Sequence, residues 1–151
     1  METQPLWISH PRAVFDPQAE AEDDTGGGIV IEGNRIVERV PRGGSPVRPH
    51  CQTFDASDCV LLPGLINTHH HFYQTLTRAH PAGLNRPLFN WLKGLYPIWR
   101  YLDAELIRVS TQLACAELLL SGCTTTVDHH YVFSETLTDA IDIQATTCRE
   151  L

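Results

Sequence analysis

In the second half of the sequence, short apolar runs alternate with longer stretches of helical periodicity. The first run, Val60 to Leu62, continues through Pro63-Gly64 into Leu65 to Asn67, and a second run spans Thr124 to Val127. Apolar runs of this kind are typical of strands that are buried on both faces. Because helical patterns follow each run, the order strand, helix, strand, helix predicts a parallel α/β layout.

Both helices of this order have recognisable ends. The first is predicted to begin after Asp103, a good N-cap residue, and to end before Gly122. The second is predicted to run from about Thr136 to Leu151. Since Leu151 has no Gly or Asn cap after it, we expect the chain to be the N-terminal part of a longer protein. The predicted apolar faces consist of Leu106, Val109, Leu113, Ala116 and Leu120 in the first helix, and of Leu137, Ile141, Gln144 or Ala145, Cys148 and Leu151 in the second.

The first part of the sequence has a different pattern, in which brief β-rich runs are separated by turn formers. A hairpin turn is predicted between the last two runs, and a loop is predicted over Pro41 to Pro49. We therefore expect a partial β-domain over residues 1–58 and two β/α units over residues 59–151. The predicted strands of the β-domain are Leu6 to Phe15, Gly28 to Glu32 and Arg35 to Val40.

Three consecutive histidines, His69, His70 and His71, close the predicted apolar strand. Side chains alternate between the two faces of a strand, so His69 and His71 are expected to point together and His70 away from them. Two imidazoles that converge in this way can bind one zinc ion at about 2.0–2.1 Å each. A His-x-His pair alone is weak evidence, and we would expect about half of such pairs to bind nothing, but a position at the end of an apolar strand favours a metal site.

Composition narrows the classes of partner. A net charge of -7 without clustered Lys and Arg argues against a nucleic-acid partner. The N-terminus lacks a basic stretch followed by an apolar core, and polar residues interrupt the apolar region Leu106 to Leu120. We therefore predict no signal peptide, no membrane span and a cytoplasmic location.

The five cysteines contain no CxxC pair, which argues against a disulfide framework, and Cys115 and Cys123 are predicted to be buried helix residues.

Four segments carry a more specific pattern. They are LLPGLINTHHHFYQTLTR at residues 61–78, NRPLFNWLKGLYPIW at 85–99, AELLLSGCTTTVDHHYVF at 116–133, and AIDIQ at 140–144. In this order they resemble the amidohydrolase superfamily, and within it the deaminases of purines and triazines. The resemblance implies the N-terminal part of a zinc-containing (β/α)8 TIM-like barrel, preceded by strands of a small β-sandwich domain.

The resemblance also implies roles for particular residues. His69 and His71 match the first two ligands of a single zinc ion, and Gln74 matches the glutamine that hydrogen-bonds a guanine-type base. An amide has both a donor and an acceptor, which suits a purine edge, although Gln74 alone would be taken for a surface residue. His129 and His130 follow the second strand, where barrel enzymes carry their sites, and are candidates for the pocket wall together with Trp91. Phe89, Trp91, Tyr96 and Trp99 are predicted either to form an aromatic wall or to pack in the core.

The function implied by the resemblance is zinc-dependent deamination of a guanine-type purine, with 8-oxoguanine giving urate and ammonia. The alternatives are an s-triazine hydrolase with the same site and a non-catalytic, metal-binding fragment. The partner would be a small purine or triazine, and a homo-oligomer is compatible with this class. Because the family takes its other zinc ligands and its acid/base residue from later strands, beyond Leu151, we expect the chain alone to be inactive and poorly soluble.

Overall fold

The computed structural model of the protein describes residues 4–16, 24–135 and 137–151. The chain divides into two compact units, one that ends at Pro63 and one formed by Gly64–Leu151. The domain boundary predicted after residue 58 lies a few residues before this division. Within the described ranges, no helix has the length and apolar character that a membrane crossing requires.

The first unit is built from short strands. One sheet has the strand order β4-β3-β1-β5, in which β3 pairs antiparallel with β1 and β4, and β1 pairs parallel with β5. Strands β2 and β6 form a separate parallel pair. The strands are β1 (Leu6–Ser9), β2 (Ala13–Val14), β3 (Gly28–Glu32), β4 (Arg35–Val40), β5 (Gln52–Asp55) and β6 (Val60–Leu61).

The predicted hairpin and loop of this unit are confirmed, but one predicted strand is wrong. Strands β3 and β4 are joined at Gly33, whose φ of 58° is natural for glycine in a tight turn. The predicted strand Leu6 to Phe15 is instead two strands, β1 and β2. It breaks because His10 adopts a φ of 52° and is followed by Pro11, which cannot donate to a strand ladder.

The second unit contains the predicted parallel α/β arrangement. Its two strands pair in parallel, and a long helix connects them, which confirms the predicted layout. The elements are β7 (Leu65–His70), a 3-10 helix (Phe72–Thr77), α1 (Leu88–Trp99), α2 (Ala104–Leu120), β8 (Cys123–Asp128) and α3 (Ala140–Glu150).

The core of the second unit lies between the helices and the segment that follows β8. Helix α1, which the sequence pattern did not predict, contributes Leu95 and Trp99 to it. The helix contains Pro97, and prolines inside helical patterns normally indicate an end or a kink. The other buried core residues are Tyr73, Leu102, Ile107, Val132, Leu137 and Ala140.

Helix α2 has the predicted ends but a different buried face. The Asp103 side chain accepts a hydrogen bond from the Leu106 N–H at 2.8 Å, and Gly122 follows the helix with a φ of 80°. The predicted apolar face is wrong, since Leu113 and Leu120 on it are exposed. The buried face contains hydroxyls that hydrogen-bond to the Ile107 carbonyl, which removes the cost of burying them. The residues of the buried face are Ile107, Ser110, Thr111 and Ala114.

The prediction that strand β7 is buried on both faces is wrong for the described structure. Leu65 is 57% exposed and Ile66 is 69% exposed, because β7 has a single neighbouring strand, β8, among the described residues. At its start, Gly64 lies so close to Thr124 that a Cβ on residue 64 would come within 2.1 Å of the Thr124 Oγ1. A side chain at residue 64 would therefore collide with the Thr124 side chain, and glycine avoids this collision.

Helix α3 begins later than predicted, at Ala140, and the proposed start at Thr136 lies outside the described residues. Leu137 and Gln144 of the predicted apolar face are buried, whereas Ile141, Cys148 and Leu151 are exposed. The buried positions within the helix are Ala140, Gln144 and Thr147.

The two cysteines predicted to be buried in helices lie elsewhere or are less buried. Cys123 is buried but starts strand β8, and Cys115 is half-buried in α2. Its Sγ lies 3.5 Å from the Sγ of Cys148 in α3. The prediction for Cys123 is wrong because helix α2 ends at Leu120, and Gly122 with its positive φ separates Cys123 from the helix.

Candidate metal centre

The carboxyl end of β7 brings two imidazole rings together. The Nε2 atoms of His69 and His71 lie 3.0 Å apart, although His71 itself is the residue after the strand. Two nitrogen ligands of a tetrahedral zinc ion at about 2.0–2.1 Å would lie about 3.3 Å from each other. The two rings therefore converge as the alternation along the strand predicts, and their spacing fits a shared metal ion.

The backbone of the neighbouring strand end orients His71. Its Nδ1 lies 2.6 Å from the carbonyl oxygen of His129, and the His129 N–H donates to the His70 carbonyl at 2.7 Å. A carbonyl oxygen can only accept, so Nδ1 of His71 carries the proton and Nε2 presents a lone pair. This tautomer is the one that a metal-binding imidazole requires.

His129 and His130 have different positions at the end of β8. The His129 ring stacks on His69 with centroids 4.6 Å apart, and its Nε2 lies 3.2 Å from the Thr68 carbonyl oxygen. The His130 Nε2 lies 2.7 Å from the Val132 carbonyl oxygen, and its ring packs against Tyr73 at 5.0 Å. His129 therefore adjoins the imidazole pair, whereas His130 packs toward the core.

His70 lies apart from the converging pair. Its ring contacts Phe72 at a centroid distance of 5.1 Å, and its buried Nδ1 has no hydrogen-bond partner within the described part of the chain. Burial lowers the pKa of His70, and the nearby Asp128 carboxylate opposes this effect. A neutral His70 is thus favoured at physiological pH.

An open cavity of about 260 Å³ lies beside the imidazole pair. The four aromatic residues considered for its wall are not among its described lining residues. Trp99 is buried in the core and Trp91 packs against it at 5.2 Å, while Phe89 is 75% exposed. Tyr96 is partly exposed and also contacts Trp99. The lining residues are His69, His70, His71, Gln74, Thr75 and Arg78.

Gln74 lies on the 3-10 helix that follows the histidines, and two tyrosines hold its amide. Its Nε2 donates to the Tyr73 Oη at 3.0 Å and to the Tyr131 Oη at 2.9 Å. Burial, followed by a hydrogen bond with Tyr131, raises the pKa of Tyr73, so its hydroxyl keeps its proton. The family resemblance indicated Gln74 but neither tyrosine.

Asp128, at the carboxyl end of β8, connects three elements around the site. Its Oδ1 accepts from the Phe72 N–H at 2.7 Å, and its Oδ2 accepts from the Gln144 Nε2 at 2.9 Å. The carboxylate thereby joins β8 to the start of the 3-10 helix and to α3. The sequence signal for this role is an aspartate that ends a strand just before two histidines, although only the histidines were predicted to belong to the site.

Among the described residues, the imidazole pair is not joined by a third side chain that could bind the same metal ion. Over residues 4–16, 24–135 and 137–151, no three His, Cys, Asp or Glu side chains are grouped so that they could hold a metal ion. A catalytic zinc site needs three protein ligands and an open position for water. The described residues thus fit part of such a site.

Parallel strands whose carboxyl ends bring two imidazoles together beside an open cavity form an arrangement that could contribute ligands to a metal ion. Residues 60–149 match the model of the amidohydrolase family, so the chain belongs to that family.

Among characterised proteins, the chain is 53% identical to 8-oxoguanine deaminase of Pseudomonas aeruginosa over 96% of its own length and 32% of that protein. It thus spans about a third of the length of this relative.

Solved structures of triazine-hydrolysing enzymes have a similar fold. A triazine hydrolase from Arthrobacter aurescens superposes with a TM-score of 0.78 at 27% identity, covering 98% of this chain and 34% of that one. A mutant of atrazine chlorohydrolase from Arthrobacter aurescens, complexed with zinc and atraton, gives a TM-score of 0.73 at 25% identity, covering 99% and 34%.

Proposed function

We propose that this chain contributes half of the metal site of a zinc-dependent deaminase that acts on a guanine-type purine, converting 8-oxoguanine to urate and ammonia. The observation that carries the proposal is the convergence of the His69 and His71 Nε2 atoms, 3.0 Å apart, beside a cavity lined by Gln74. The 53% identity to 8-oxoguanine deaminase supports this substrate.

In this proposal each residue has a defined task. His69 and His71 hold one zinc ion through Nε2, and the His129 carbonyl keeps the His71 ring in the tautomer that binds metal. Zinc, when bound, makes water nucleophilic at neutral pH. Asp128 fixes the position of the 3-10 helix that carries Gln74, and Gln74 hydrogen-bonds the base.

The remaining ligands and the acid/base residue would come from chain beyond Leu151, in a complete (β/α)8 barrel preceded by a β-sandwich domain. The length of the 8-oxoguanine deaminase relative supports this arrangement, since the chain covers 32% of it. The working protein would then bind a small molecule in the cytoplasm, with a homo-oligomer as a compatible assembly.

A second candidate, hydrolysis of an s-triazine, is supported by the similarity of fold. The triazine hydrolase structure superposes with a TM-score of 0.78 over 98% of the chain. Triazines and purines are both flat, nitrogen-rich rings with a leaving group on an activated carbon, so the same metal site suits either one.

A chimera tests the proposal without assumptions about the rest of the protein. Residues 1–151 would replace the matching third of the Pseudomonas aeruginosa 8-oxoguanine deaminase, and the release of ammonia from 8-oxoguanine and of ethylamine from hydroxyatrazine would be followed. We expect deamination of 8-oxoguanine, with zinc content and activity lost in the variants His69→Ala and His71→Ala.

The matched control is His50→Asn, because His50 is exposed and its φ of 57° is tolerated by Asn. This variant should keep both zinc and activity. A chimera that processes only hydroxyatrazine would favour the second candidate, and one that keeps its zinc in both histidine variants would refute the proposed ligands.

A further inference from the structure

The side-chain amide of Gln74 makes its described hydrogen bonds through its NH2 end. Both described hydrogen bonds of this amide are donated by Nε2, one to the Tyr73 Oη and one to the Tyr131 Oη. Gln74 also lines the cavity that contains His69 and His71. Its Oε1, which takes part in neither bond, is therefore the atom available to a ligand in that cavity.

The protons of the two tyrosines favour this orientation of the amide. Tyr73 is fully buried, and its hydroxyl also hydrogen-bonds to that of Tyr131. That bond uses one of the two phenol protons, while the lone pairs of both oxygens remain available as acceptors. The NH2 end of an amide supplies two donors to these acceptors, whereas the carbonyl end supplies none.

We infer that Tyr131, supported by Tyr73, is a positioning residue that presents the Gln74 Oε1 to the ligand and so selects rings with an N–H at the edge that faces it. The inference rests on the proposed function, in which Gln74 contacts the base. A guanine-type ring has a lactam N–H at the edge that would face Gln74, and this N–H can donate a hydrogen bond to Oε1. An adenine-type ring nitrogen has a lone pair instead, which would be left against another acceptor.

The selection can be measured in the chimera with two bases that differ in the lactam group, because 8-oxo-2-aminopurine lacks the 6-oxo group of 8-oxoguanine. 8-Oxoguanine has the lactam N–H, while 8-oxo-2-aminopurine keeps the same leaving amine but has a lone pair at that nitrogen. A site built around such a hydrogen bond should favour 8-oxoguanine in kcat/KM by at least about 100-fold.

Tyr131→Phe removes one hydroxyl and lets the amide turn, so we expect the preference to fall about tenfold. The loss should appear mainly in KM for 8-oxoguanine, with little change for the analogue. Tyr101→Phe is the matched control, because Tyr101 is 66% exposed and outside the cavity lining. An equal fall for both bases, or no change in the ratio, would overturn the inference.

Amide hydrogen exchange tests the orientation without any activity. In protein labelled with 15N-glutamine, the Gln74 NH2 protons should exchange at least about tenfold more slowly than those of exposed Gln52, and Tyr131→Phe should remove this protection. Equal exchange at Gln74 and Gln52 would refute the bonded NH2 end. A chimera that releases no ammonia from either base would refute the proposed function, while this measurement would still decide the orientation.

Discussion

Two regions of the α/β unit differ in how completely their side chains find partners. One is the carboxyl ends of β7 and β8, and the other is the flanks of the unit. At the carboxyl ends, polar groups have hydrogen-bond partners within the unit: the Asp128 carboxylate, the His129 carbonyl and the Gln74 amide each make such a bond. On the flanks, Ile66 is 69% exposed and Leu120 is 90% exposed. These polar groups at the carboxyl ends thus find their partners among the described residues, whereas the apolar flanks remain exposed there.

Two substitutions on the same helix test this difference most strongly. Ile107 of α2 is fully buried and Leu120 of α2 is largely exposed. Ile107→Ala should lower the free energy of unfolding by about 3 kcal/mol, because it leaves a cavity, and Leu120→Ala by less than about 0.5 kcal/mol. Urea denaturation followed by circular dichroism measures both. Similar losses would mean that the flank of α2 is covered in solution, for example by self-association.

Removal of the Asp128 carboxylate should have the next largest effect. Asp128→Ala leaves the Phe72 N–H and the Gln144 amide without their acceptor, at a cost of about 2 kcal/mol in unfolding free energy. Asp128→Asn is the control, because its amide oxygen can still accept from the Phe72 N–H. If Asn were as damaging as Ala, the hydrogen bond from the Phe72 N–H would not explain the loss, and the charge or the bond to Gln144 would be responsible.

Zinc should stabilise the chain by a smaller amount. At a zinc concentration ten times the Kd, binding to the His69 and His71 pair adds about 1.4 kcal/mol to the unfolding free energy. A thermal melt should show a rise in Tm that EDTA reverses and that His69→Ala lacks. A rise of the same size in His69→Ala would place the metal elsewhere.

The smallest effect concerns the reactivity of a thiol on the flank. Burial, with a contribution from Cys148, raises the pKa of Cys115 to about 12. The thiolate is the reactive form, so at pH 8 iodoacetamide should modify Cys115 much more slowly than exposed Cys59. Because the raised pKa favours the neutral thiol in the folded state, this contribution to stability is present below pH 9 and declines as the pH rises toward 12. Peptide mass spectrometry gives both rates, and equal labelling would show that α2 and α3 separate readily.

Local sequence signals predicted the parallel α/β layout and the ends of α2. Asp103 caps the helix, Gly122 ends it, and alternation along β7 directs His69 and His71 to one point. Each of these features depends on backbone geometry within a few residues, which is why the sequence alone was sufficient. The role of the two histidines as zinc ligands stays a prediction.

The features that the sequence did not reveal depend on contacts between distant segments. The buried face of α2 contains Ser110 and Thr111, whose hydroxyls bond to a backbone carbonyl, so an apolar pattern could not identify it. Helix α1 was missed because Pro97 lies inside it. The hydrogen bonds of Gln74 to Tyr131 and of Asp128 to Gln144 join residues that only the tertiary structure brings together.

The close approach of Gly64 to the Thr124 side chain means that two positions sixty residues apart share a single small volume. A methyl group added at residue 64 could be accommodated only if residue 124 became smaller, so the two sites should change size in opposite directions among proteins with this strand pair. In a redesign of the strand pair, they would have to be treated as one variable.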